Sequence, residues 1–182
     1  MKCVYILPLP ARGVLVGPLC DILFPQMPNL QDEIGKKKPF EMAEEEAYLN
    51  VRRTAAALES YFGKLFRKHG LSEATYNVLR ILRAAGDEGR CWSDIREDLV
   101  VPVPDVTRLI DRLEKAGHVE RVRCAKDRRK VYVRITDDGR SLVERLDEPV
   151  RSLLRKRLGH MQEADLRTLS RSLERLRDDE TA

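Results

Sequence analysis

The stretch VPDVTRLIDRLEKAGHVERV, Val103 to Val122, decides how the rest of the chain is read. Val106, Leu109, Ile110 and Leu113 recur at helical spacing and fall on one face, which leaves Thr107, Arg108, Asp111, Arg112 and Lys115 on the outer side. Arg108 and Arg112, four residues apart, point the same way. Gly117 closes the helix. Just upstream, CWSDIREDL (Cys91 to Leu99) is a second short helix, and only Val100, Val101 and Pro102 separate the two before the next helical run begins. A proline junction of that length forces a sharp change of direction, so the pair has the spacing of a helix-turn-helix.

Downstream, HVERVR and KVYVRIT predict two strands joined across Cys124 to Arg129. Val131, Val133 and Ile135 alternate with Tyr132 and Arg134, so the hairpin docks by its apolar side and projects its tip into solvent. That tip is cationic. From Arg121 to Arg134 the chain carries seven cations against Asp127 alone, a larger excess than the +4 of the whole protein. The positive field is therefore local, and a basic tip on a rigid ribbon is a probe for phosphate. A solvated basic face with no ligand is the plainer alternative.

Outward again lie helices. LSEATYNVLRILRAAG (Leu71 to Gly86) opens with Ser72 as N-cap, with Leu71 and Tyr76 placed for a hydrophobic staple. The run from Glu41 to Gly70 reads as one long helix, acidic in its first turns and basic in its last. Its apolar residues Tyr48, Val51, Ala55, Leu58, Phe62 and Leu65 form the seam of a helix that packs lengthwise against others. After Asp137, leucines at helical spacing continue to Leu176, with Pro149 expected to kink or divide the first helix and Gly159 to precede the last. These ends expose more leucine than a thin monomer covers, which predicts a dimerisation layer around a two-fold axis.

The whole is a mainly α chain with a small antiparallel β-hairpin wing, a winged helix-turn-helix with a helical dimerisation layer built from both chain ends. Residues 1–27 are an N-terminal extension, 28–70 and 137–182 the dimerisation region, and 71–136 the DNA-binding lobe. A composition of 42% hydrophobic, 35% charged and 5% aromatic residues over 182 positions suits that helical class.

No nucleophile motif and no carboxylate-oriented histidine emerges, so an enzyme is not expected, and no cofactor. Cys3, Cys20, Cys91 and Cys124 show no paired spacing and the three histidines stand far apart, so no metal site is expected and a reduced, cytoplasmic protein is the default. The apolar N-terminal run is broken by Pro8, Pro10 and Arg12 and is too interrupted to span a bilayer.

In a winged helix-turn-helix the second helix enters the major groove and the hairpin reaches phosphate or the minor groove. Thr107, Arg108 and Arg112 are the groove candidates; ion pairing of either arginine with Asp105, Asp111 or Glu114 is the alternative. Arg129 leads at the wing, with Lys126, Arg128 and Lys130 adding phosphate attraction, and Asp127 orienting a hairpin arginine or favouring the turn. Trp92 is read as a core or domain-junction residue, with a DNA contact as the alternative.

The order of these elements, and in particular VPDVTRLIDRLEKAGHVERV, then KDRRKVYVRIT with Asp127 and Arg129, then DDG, closely resembles the MarR family of bacterial transcription regulators. The resemblance covers about Pro28 to Asp179. It implies an obligate homodimer on a pseudo-palindromic operator, with a small molecule or oxidant shifting the dimer to a form that no longer suits DNA. It further implies a lipophilic or phenolic effector in a crevice between the dimer layer and the DNA-binding lobe, with Tyr48, Tyr61 and Tyr76 as candidates to line it, or else to pack in the core.

Departures from the family pattern are specific. Pro102 stands where a Ser or Thr cap is common and Cys91 where a capping Thr is common, so capping falls to another group such as Asp105. Neither Cys3 nor Cys20 matches the early helix cysteine of peroxide-sensing members. Two other readings remain open: a thiol switch through Cys91 or Cys124, and a winged module that binds an acidic protein.

Overall fold

Ser72 sets the start of the central helix as its sequence requires. Its hydroxyl accepts from the Thr75 N–H at 3.1 Å, and the Thr75 hydroxyl accepts from the Ser72 N–H at 2.8 Å, a reciprocal cap that satisfies two orphan donors. Leu71 and Tyr76, the predicted staple, are both buried.

The computed structural model describes residues 29–123 and 131–178. The N-terminal extension 1–27 with Cys3 and Cys20, the tip residues Lys126, Asp127, Arg128, Arg129 and Lys130, and Cys124 lie outside the described residues. The elements in chain order are α1 (Leu30–Glu33), α2 (Ala43–Arg67), α3 (Glu73–Ala85), a 3-10 turn (Gly86–Glu88), β1 (Arg90–Cys91), α4 (Trp92–Asp98), α5 (Val106–Lys115), β2 (Val119–Arg123), β3 (Val131–Ile135), α6 (Asp137–Leu158) and α7 (Glu163–Leu176). They fall into two units that divide within α2, after Thr54.

In the N-terminal unit the Asn29 side chain caps α1, accepting from the Asp32 N–H at 2.9 Å. Arg53 of α2 pairs with Glu33 at the end of α1, and the Lys36 ammonium sits 5.1 Å from the centre of the Phe40 ring. Tyr48 and Val51, the first two members of the predicted seam, are exposed.

The C-terminal unit holds the core. Val78, Leu79 and Leu82 of α3 meet Ile95 of α4, Ile110 and Leu113 of α5, Val133 of β3, and Val143 and Leu146 of α6, all essentially inaccessible to water. Truncating such a residue to Ala costs about 2–5 kcal/mol. The one buried residue of α2 is Phe66, which the seam did not include; its ring stacks on Tyr76 at 4.4 Å between centroids.

The sheet has three strands rather than two, in the order β1-β3-β2 and antiparallel throughout. β2 and β3 pair from Val119 opposite Ile135 to Arg123 opposite Val131, and Arg90 and Cys91 add a short third strand along the other edge of β3. Gly89 makes that edge possible. It has φ +71, and a Cβ there would stand 2.5 Å from the Val133 carbonyl oxygen. Val133 and Ile135 are buried as expected, while Tyr132 and Arg134, expected to face out, are half-buried.

Thr136 starts α6: its hydroxyl accepts from the Gly139 N–H at 3.1 Å and donates to the Gly117 carbonyl at 2.7 Å, tying the helix to the turn after α5. α6 is not divided at Pro149. Proline removes one N–H from the ladder, but Val150 packs on the core beside it and Asp147 just before it is held by Arg83, so tertiary contacts on both sides keep the helix continuous. α7 buries none of its residues; Leu169 and Leu176, together with Leu154 of α6, are exposed. Among the described residues no helix is long and apolar enough to cross a membrane.

Candidate nucleic-acid interface

A helix can enter a DNA groove only if one face is clear of its own protein and its ends are held. The turn before α5 is fixed by Asn77 of α3, whose side-chain oxygen accepts from the Val100 N–H at 2.9 Å. α5 itself is capped by Asp105, which accepts from the Arg108 N–H at 3.0 Å. The capping group missing at Pro102 is therefore supplied by a direct side-chain bond. Cys91 holds the N-cap position of α4 but makes no capping bond, and its thiol is free and half-buried.

With Val106, Ile110 and Leu113 buried, Thr107, Arg108, Arg112 and Lys115 share the exposed side of α5. The Arg108 side chain is 85% exposed and lies 3.0 Å from Asp105. An ion pair this open is worth about 0–1 kcal/mol, so it exchanges readily for a base or phosphate. Arg112 makes no ion pair among the described residues, and the carboxylates of α5 are paired elsewhere. Asp111 and Glu114 are bound by one guanidinium, that of Arg121, which reaches over from β2. The hydrogen bond that Arg121 donates to Asp111, with the charge of Glu114 and against partial burial, holds Arg121 still more firmly protonated than an ordinary arginine.

Trp92 is 49% exposed with the Arg96 guanidinium 5.7 Å from its ring, at the surface rather than in the core. Arg90 and Asp98 pair across the two ends of α4. Of the wing, the described part ends at the Arg123–Val131 pair.

Beside the lobe lies a crevice of about 510 Å³ walled by Phe62, Phe66, Tyr76, Val103, Val150 and Leu154, with Glu59, Glu73 and Arg80 among its polar residues. Burial, then the neighbouring charge of Glu59, pushes the Glu73 carboxyl above its usual range, and burial likewise raises the Tyr76 phenol. Of the three tyrosines singled out from the sequence, Tyr76 lines this crevice. Tyr61 does not; the Arg157 guanidinium lies 3.3 Å from the centre of its ring. Tyr48 is exposed on the part of α2 in the other unit. Phe66 and Arg121 were missed as functional candidates. Phe66 was detectable as a large apolar residue four positions after Phe62, whereas Arg121 gave no signal beyond its charge.

A family model described as transcriptional regulator SarA/Rot matches residues 60–146. A MarR transcription factor from Planctomyces limnophilus is 39% identical, and the alignment covers 75% of this chain and 98% of that one with a TM-score of 0.59. The chain belongs to the MarR family. A second member-like relative, the homoprotocatechuate degradative operon repressor of Escherichia coli, is 28% identical over 110 residues, 60% of this chain and 71% of that protein. Sco3205 of Streptomyces coelicolor, a MarR family regulator solved in complex with DNA, is 19% identical with a TM-score of 0.68, covering 78% of this chain and 91% of that one, and so shares the winged-helix fold. The chain spans 57% to 71% of the length of the curated relatives it matches.

Proposed function

We propose that this MarR-family chain binds double-stranded DNA as a cytoplasmic homodimer, acts as a repressor on a pseudo-palindromic operator, and is released by a small lipophilic or phenolic effector. One observation carries the DNA reading: the α5 face bearing Thr107, Arg108, Arg112 and Lys115 stands clear of the core, while the carboxylates beside it, Asp105, Asp111 and Glu114, are each paired with an arginine. Such a surface carries donors suited to guanine edges and phosphates without a competing negative charge. Lys126, Arg128, Arg129 and Lys130 of the wing add the sequence-independent attraction, with Asp127 orienting them.

The repressor and DNA assignments are supported by the names of the relatives in Escherichia coli and Streptomyces coelicolor. Dimerisation is supported by the exposed leucines of α6 and α7, and the effector by the aromatic crevice under Tyr76. The test is an anisotropy titration of labelled duplex at several salt concentrations. Wild type binds with an affinity that falls steeply as salt rises, and a variant lacking Arg108, Arg112 and Arg129 binds far more weakly; equal affinity of the two would overturn the assignment.

A further inference from the structure

The two carboxylates within α5 are a liability that the fold cancels with a single side chain. Asp111 and Glu114, three positions apart on α5, flank the exposed cations Arg112 and Lys115 in the chain. A duplex carries one negative charge per about 1.7 Å of its axis, so bare carboxylates at that place would oppose its approach. Arg121 meets both. One terminal nitrogen, Nη2, donates to Asp111 and the other, Nη1, donates to Glu114. The base of this fork is rigid: Arg121 is the middle residue of β2 and pairs with Val133, whose side chain lies in the core.

We propose that Arg121 is a positioning residue for DNA recognition: from β2 it neutralises Asp111 and Glu114 together and fixes the rotation of α5 against the sheet, so that the exposed side of α5 presents a duplex with no unpaired carboxylate. The inference rests on the reading that this face of α5 binds DNA. Only an arginine does this. A lysine ammonium in the same place is a compact charge on a flexible stem and satisfies one carboxylate well, leaving the other bare. The role also differs from that of a phosphate contact, because the Arg121 donors are turned toward the protein and the side chain is only 31% exposed.

The difference has a direct consequence. If Arg121 acts by cancelling two charges, removing those charges removes the need for it; if it acts by touching phosphate, it does not. The experiment is a titration of a labelled mixed-sequence duplex at low salt with wild type, Arg121→Ala, and Arg121→Ala combined with Asp111→Asn and Glu114→Gln. The single variant is expected to bind on the order of tenfold more weakly, and the triple variant to recover to within about threefold of wild type. Arg121→Lys carries the same test should Arg121→Ala unfold: it is expected to bind between wild type and Arg121→Ala, and Arg121→Lys with Glu114→Gln is expected to restore affinity, since one ammonium then faces one carboxylate. A combined variant that stays as weak as its Arg121 single variant, or an Arg121→Ala protein that binds as wild type does, overturns the proposal. Failure of wild type itself to bind duplex would instead remove the reading beneath it.

Discussion

Arg83 on α3 and Asp147 on α6 form a two-pronged ion pair, with hydrogen bonds of 2.8 and 3.0 Å between the guanidinium and both carboxylate oxygens. It joins α3 to α6, and its side chains are 27% and 31% exposed. The Arg83 hydrogen bond holds the Asp147 carboxyl below its usual range. A carboxyl depressed in the folded state contributes stability above its unfolded value of about 3.9, and that contribution is lost as pH falls through the lower folded value. Asp147→Asn is therefore expected to cost about 1–2 kcal/mol at neutral pH and progressively less below about pH 4. Urea denaturation of both proteins at neutral and acid pH checks this, and a cost independent of pH would contradict it.

Gly139, the glycine of the DDG motif, has no room for a side chain. A Cβ there would lie 2.2 Å from the His118 carbonyl oxygen and 2.9 Å from Cγ1 of Ile135. The neighbour is backbone at the start of the sheet, so relief requires moving the first turn of α6 away from it. Gly139→Ala is expected to destabilise the fold by about 2–4 kcal/mol, seen as a lowered thermal unfolding midpoint. An unchanged midpoint would show that α6 does not pack against this turn.

Arg108 and Arg112 project from the same exposed face, and Arg129 lies in the sequence between β2 and β3, outside the described residues. Loss of an arginine that reads a base costs about 1–3 kcal/mol on the operator and relaxes specificity at one position, whereas loss of a phosphate contact weakens all sequences alike and flattens the salt slope. Arg108→Ala or Arg112→Ala is expected to behave in the first way and Arg129→Ala in the second. Titrations against an operator found by footprinting and against its single-base variants separate the two.

Leu169 and Leu176 of α7 are 43% and 67% exposed on a helix none of whose residues is fully buried in its own chain. An apolar stripe of that kind needs a cover. Replacing both with Glu is expected to convert a dimer to single chains in sedimentation at micromolar concentration while leaving the lobe folded, because neither residue belongs to the core. A dimer that survives the change would place the contact elsewhere.

What could be read from the chain, and what could not, follows the range of the forces involved. The Ser72 cap, the burial of Leu71 and Tyr76 and the apolar face of α5 are decided within one or two helical turns, and local spacing reveals them. β1 spans two residues, too short to carry a period, and exists only because Gly89 lets the backbone approach β3. Pro149 argues locally for a break that packing on α3 overrides. The Arg121 fork depends on β2 lying beside α5, a tertiary fact that charge counting cannot contain, and it turned two apparent partners of Arg112 into partners of another residue. Tyrosine identity is likewise a weak guide to the crevice, whose apolar walls are mostly Phe and Val.

The most direct test of the account is sedimentation of the wild-type protein alone and with a labelled duplex at low and moderate salt. The account predicts a dimer in dilute solution that joins the duplex as two chains together and leaves it as salt is raised. Single chains that sediment apart from the duplex even at low ionic strength would contradict it.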